Sequence, residues 1–462
     1  MTRDSPRSRR RLLATAAACV GALAGCASGS GTRSPAAPPS TTATDRPAAT
    51  QTPAGSPPAL RRALSDASVP FALDRADGGL DDVAATLADA PVVGIGETSH
   101  GVREFKSVPT ELVCRLVADH GTRLVAIEET LGAAAALDAY VAGGRDDLDA
   151  ALSTLDFYFW KTPAVRRLAE WLRAWNADHP DDQIHVWGYD AQFYDANARA
   201  VRAYLDRVDP GYLSTVASRL DPLTAPPGEG PYLTDDRRAL LADLRERLRT
   251  RESRYVAASS RAAWELARRH VRTLERGLRF FRRLHAEEGT TRAEVLRDET
   301  MAENVAWLRE WTGAERAAVL GNANHTMRGH RAPDRGNPRM GQHLTERFGD
   351  GYYSLGQAFG TGRFRAPTDS DRTAFATFDL GGPLNGTLAA TLATLGSRPR
   401  FLDFAAARER DAAAAWLAER SRVGFTAPPV ADRGAVPLPA APGDAFDGVT
   451  FVPSVSPARF GV

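Results

Sequence analysis

Only three cysteines occur in the 462 residues, at 19, 26 and 114, and they cannot build either a disulfide framework or a thiolate metal cluster. Lysine is nearly absent: of 58 basic residues only Lys106 and Lys161 are not arginine. The formal net charge is +1, so no basic excess points to nucleic acid and no block of like charge marks an interaction tail. No apolar run is long enough for a comfortable membrane span. Gly-x-Ser-x-Gly, phosphate-cradling and dinucleotide fingerprints are all missing, which removes the serine nucleophile elbow and the common nucleotide sites.

What is present at the amino terminus reads as a leader. Ser8-Arg9-Arg10-Arg11-Leu12-Leu13 has the form of a twin-arginine export signal, followed by a short apolar stretch. Leu23-Ala24-Gly25-Cys26 then matches a lipoprotein processing box. Residues 1–25 are read as signal, and Cys26 as the lipidated first residue of the exported chain. Residues 26–58 are Ser, Thr, Pro, Ala and Gly with almost no large apolar side chain, a composition that cannot offset its own ordering entropy. They form a tether, placing the 59–462 domain at the outer face of the cytoplasmic membrane.

The domain itself is organised around Pro91-Val92-Val93-Gly94-Ile95-Gly96-Glu97-Thr98-Ser99-His100-Gly101. An apolar run flanked by glycines predicts a buried strand, with Glu97 and His100 on the turn past its carboxyl end, three residues apart. Three further apolar runs end the same way: 122–127 in Glu128 and Glu129, 184–189 in Asp190, and 317–321 in Asn322-Ala323-Asn324-His325. Helical patterns separate them, so the expected fold is α/β: a mostly parallel sheet with flanking helices and the four polar ends on one edge. Pro109 is expected to start or break the helix of residues 102–120. Residues 210–231, rich in proline and glycine, are expected to be a long connection. A helical excursion over 210–312 then precedes the fourth strand, and strands near 352–359, 373–380, 400–404 and 448–452 are added at the carboxyl end. The arginines of the excursion are interleaved with acids and read as a solvated face.

Glu97, His100, Glu128 and His325 admit two chemistries. As ligands, two imidazoles and one or two carboxylates suit zinc or another divalent ion with an open position for water. As an acid–base set with no metal and no cofactor, Glu97 orients His100, His100 deprotonates water, and His325 protonates or stabilises the oxygen that develops charge. A third reading is a non-catalytic envelope lipoprotein that binds a ligand.

Gly96-Glu97-Thr98-Ser99-His100-Gly101-Val102-Arg103-Glu104-Phe105 resembles the start of the erythromycin esterase family. Further stretches agree in order: Val125 to Glu128, Trp187 to Gln192, Arg297 to Asn304, Met340-Gly341 with Leu344, Phe446-Asp447-Gly448 and Pro457-Ala458-Arg459. The resemblance implies hydrolysis of a small-molecule ester, in the named members a macrolactone antibiotic. His100 falls on the family's water-activating histidine, Glu97 on its partner, Glu128 on the acid after the second strand and His325 on the second histidine of a His-Asn-x-His motif. Asn322 stands where the first histidine of that motif is expected. Pro109 stands where a basic residue is common, with Lys106 or Arg103 as substitutes. Arg103, Asp190, Asn322 and Arg297 are assigned to substrate binding, and acids near the site are expected to attract a cationic substrate.

Overall fold

The computed structural model describes residues 56–73, 79–228, 230–286, 289–329, 337–368, 374–419, 422–425 and 436–461. The signal, Cys26 and nearly all of the tether lie outside them. The strands, in chain order, are β1 (Ser68–Pro70), β2 (Val92–Glu97), β3 (Thr122–Thr130), β4 (His185–Asp190), β5 (Arg316–Asn322), β6 (Tyr352–Pro367), β7 (Phe375–Leu380), β8 (Arg400–Asp403), β9 (Arg422–Phe425), β10 (Val436–Pro439) and β11 (Gly448–Val455).

Nine of them make one sheet in the order β1-β8-β11-β6-β2-β5-β3-β4, with β7 on the far end of β6. The six neighbours from β11 to β4 are parallel, while β7, β8 and β1 join antiparallel. The four strands with polar ends are therefore adjacent and parallel, as expected. Their order is not sequential: the chain skips a place between β2 and β3, and β5 later fills it. That is a topological switch point, where open α/β sheets hold their ligands.

Alternation along these strands divides the core. Val93, Ile95, Val125, Ile127, Ala318 and Leu320 pack on one face with the helices of residues 104–120 and 163–178. Val92, Leu124, Ala126, Ala317 and Val319 pack on the other with Met301, Val305 and Leu308 of the helix Gly289–Thr312. Period-two geometry then sends Glu97 to the first face and Glu128 to the second.

Two expectations are corrected. The helix over Glu104–His120 runs through Pro109 without a break. Proline leaves the carbonyl of Phe105 without its helical donor, and Gln357 Nε2 reaches it at 3.4 Å from β6. The stretch after residue 210 is not simply a connection, because Pro210–Leu220 is helical. Pro210 sits at the first helical position, where no amide is needed, and Asp209 caps Tyr212 N at 3.4 Å.

The excursion contains an antiparallel hairpin of the helices Arg261–Leu284 and Gly289–Thr312. Arg272 pairs with Glu303 at 2.8 Å and Arg276 with Glu299 at 3.3 Å across it, which accounts for the interleaved charges.

Candidate active site

The turn after β2 carries the first of two polar groups. His100 Nδ1 stands 2.6 Å from Glu97 Oε1, and the imidazole lies flat on Phe159 with centroids 3.8 Å apart. A carboxylate at Nδ1 assigns the proton to that nitrogen and leaves Nε2 as the acceptor. Among the described residues Nε2 has no hydrogen-bond partner, and the side chain keeps 20% of its exposure, whereas that of Glu97 keeps 4%.

Distant chain holds this turn. The Gly101 carbonyl accepts from Arg365 N at 3.0 Å and Ala458 N at 2.8 Å, and Arg103 N donates to Ser456 O at 2.9 Å. A Cβ at Gly101 would collide with the Arg365 carbonyl, so only glycine permits the approach. Buried Glu104 accepts from Ser456 N at 2.8 Å and from the Arg103 guanidinium at 2.8 Å. Arg103 thus points along its own turn, with its side chain 65% exposed. Of the two substitutes considered for Pro109, it is Lys106 that reaches the pair: Nζ donates to Glu97 Oε1 at 2.6 Å.

The second group surrounds Arg297, which the excursion's last helix drives under the ends of β3 and β4. Its guanidinium donates to Asp190 at 2.6 and 3.1 Å and to Glu128 Oε1 at 3.1 Å, and lies 3.5 Å from Glu294. Burial opposes its charge, yet Asp190, Glu294 and Glu128 hold the guanidinium protonated well above the ordinary range. Asp190, expected at a substrate surface, is fully buried and gives both oxygens to Arg297. Glu128 Oε2 accepts from Asn322 N at 2.6 Å. Gly321 leaves room for this, since a Cβ there would meet Glu128 Oε2 at 3.0 Å and the Tyr189 hydroxyl.

Asn322 caps the short helix Ala323–Thr326, accepting from Asn324 N at 2.9 Å, and so presents His325. His325 Nδ1 lies 2.6 Å from Asp298 Oδ1, while Nε2 is 3.3 Å from Arg297 and 3.6 Å from Glu128. Burial disfavours the imidazolium, but Asp298 and Glu128 outweigh it and raise the His325 pKa. Burial likewise works against ionised Asp298, yet His325, Arg339 and Arg297 bring its carboxyl down to about 2. Arg339 donates to it at 3.1 Å and Met340 N at 3.0 Å.

Asp298 and Phe159 were not assigned to the site from sequence, and Lys106 was named only as a substitute for the basic residue expected at 109. Asp298 had a signal, because it follows Arg297 in a stretch already singled out. Phe159 lay in an aromatic run outside the elements expected.

The linkage can be tested. Asp298 moves from an ordinary 3.8 to about 2, which at about 1.4 kcal/mol per unit is on the order of 2 kcal/mol. A depressed carboxyl contributes above its unfolded pKa and loses that contribution as pH falls through the folded one. Raised His325 contributes below its ordinary value and loses it as pH rises through the raised one. The stability gap between wild type and Asp298→Asn is therefore expected to be widest between about pH 4 and 6.5 and to narrow on both sides. Urea unfolding at pH 2.5, 5 and 8.5 measures it, and a constant gap would contradict the assignment.

Sheet and site together define an open α/β protein with a carboxylate-braced imidazole and a buried ion network at the carboxyl edge of its parallel strands. The chain belongs to the erythromycin esterase family, whose model matches residues 117–455. Membership places it among hydrolases of esterase type. The match begins after the Glu97–His100 turn. A Bacillus cereus protein of known structure is similar at 21% identity, over 87% of this chain and 98% of that one, with a TM-score of 0.73. A succinoglycan biosynthesis protein follows at 18%, over 87% and 97%, with 0.72. A histidine-to-asparagine mutant of the erythromycin esterase EreC, in its open conformation, is similar at 15%, over 81% and 93%, with 0.61. At these identities the three structures show a common fold.

Proposed function

We propose that the protein opens a macrolactone or cleaves another bulky carboxylic ester with water activated by His100, without a metal ion. The observation that carries the reading is the His100 geometry: Nδ1 held by Glu97 at 2.6 Å, the ring fixed on Phe159, and Nε2 left as a base at the edge of the site. Nε2 takes a proton from water as the water oxygen bonds to the ester carbonyl carbon. The carbonyl oxygen becomes an oxyanion stabilised by His325, whose imidazolium form Asp298 and Glu128 favour. When the ester C–O bond breaks, the proton held by His100 passes to the leaving oxygen.

Charge placement supports metal independence. The Arg297 guanidinium already stands between His325 and Glu128, 3.3 and 3.1 Å away, where a bridging divalent ion would sit. Lys106 plays the same part at Glu97. In this reading export and a lipid on Cys26 keep the enzyme at the outer face of the membrane, meeting its ester there.

The test is mass spectrometry of macrolactones and simple esters incubated with the full chain in detergent. The expected product is substrate plus one water, formed at an undiminished rate after chelator treatment. Loss of turnover with chelator and recovery with a divalent ion would transfer the reading to metal-dependent hydrolysis. Binding without turnover would favour the ligand-binding lipoprotein.

A further inference from the structure

We propose that Lys106 is a positioning residue that supplies the compensating charge for the Glu97–His100 pair, so that Glu97 orients the imidazole without also drawing a proton onto it. The inference rests on the hydrolytic reading of His100.

Lys106 is one of two lysines in the chain, and it is 3% exposed. It leaves the first turn of the helix Glu104–His120 and enters a cavity of about 30 Å³ that is mostly apolar, walled by Phe105, Pro109, Trp160 and Leu320. A buried ammonium is costly unless paired, and the pairing here is specific. Nζ lies 2.6 Å from Glu97 Oε1, the same oxygen that faces His100 Nδ1 at 2.6 Å. One carboxylate oxygen thus serves two donors. Nζ also stands 4.5 Å from the Trp160 ring centroid and 5.1 Å from that of Phe159, the ring stacked on His100.

The consequence is electrostatic. A buried carboxylate facing a lone imidazole favours the imidazolium, and an imidazolium cannot take a proton from water. A lysine on the same oxygen cancels that pull while leaving the orienting hydrogen bond intact. Among the described residues, Arg103 at this edge is paired with Glu104, Arg297 with Glu128 and Asp190, and the Arg365 guanidinium lies over the Phe375 and Phe460 rings. Lys106 is, among the described residues, the cation in contact with Glu97.

The experiment uses the full chain with isotope-labelled histidine. The His100 resonance among nine histidines is assigned by its loss in His100→Ala. In Lys106→Met the His100 titration midpoint is expected to rise by about one unit. The acid limb of the kcat/KM profile should move with it, and kcat/KM at pH well below the midpoint should fall about tenfold through kcat, with KM nearly unchanged. Lys106→Arg should restore the midpoint, the cavity giving the larger head room. If Lys106→Met fails to fold, Lys106→Gln, which keeps a donor and removes the charge, should show the same rise. An unchanged midpoint in either folded neutral variant overturns the proposal. The titration needs no substrate: a raised midpoint with no ester cleaved by wild type would sustain the positioning role and sink the hydrolytic reading, and turnover with an unmoved midpoint would do the reverse.

Discussion

His100→Ala is expected to lower kcat/KM on any ester the protein cleaves by about a hundred- to ten-thousand-fold, the usual contribution of a positioned general base. The reason is local. Nδ1 is committed to Glu97, the ring face to Phe159, and Nε2 is the nitrogen left to work. The substitution removes the base while Lys106 still pairs with Glu97 at 2.6 Å, so the fold should survive. Rates come from the water-addition product followed by mass spectrometry, with circular dichroism to establish that the variant is folded. A folded variant that retains more than a tenth of wild-type kcat/KM would remove His100 from the mechanism.

Arg297→Met is expected to produce the largest loss of stability, about 3–5 kcal/mol, the range for stripping one partner from a buried ion network. The side chain keeps 4% of its exposure and meets Asp190 at 2.6 Å and Glu128 at 3.1 Å, each itself buried. Methionine fills much of the volume but leaves Asp190 facing low-dielectric surroundings without the guanidinium and Glu128 with His325 alone at 3.6 Å. Arg297→Lys should recover only part of the loss, because one ammonium cannot span Asp190, Glu128 and Glu294 as a planar fork does. Urea unfolding at pH 7 gives the values. The deficit should shrink at acid pH as the stranded carboxylates protonate. A deficit below 1 kcal/mol would mean that water already screens the network.

These two residues were legible to different degrees. His100 announced itself through a glycine-flanked apolar run ending in Glu-x-x-His, a pattern local enough to read without partners. Arg297 lay among many arginines of the excursion, and its assignment to substrate binding came from resemblance. In the structure it is buried in an ion network, and Asp190, expected to face substrate, is buried beneath it.

The same division runs through the whole chain. Sequence alone determined the four apolar strands and their polar ends, the helices that separate them, and the helical character of the excursion. These follow from periodicity, capping and composition, which act over a few residues. Only the tertiary structure decided that β5 lies between β2 and β3, leaving Glu97 and Glu128 two strands apart with their side chains on opposite faces. It also decided that Gln357 rescues the carbonyl freed by Pro109, that Ala458 and Arg365 clamp Gly101, and that Lys106 meets Glu97. Each of these is set by strand register and packing between segments far apart in the chain, and no local pattern encodes register.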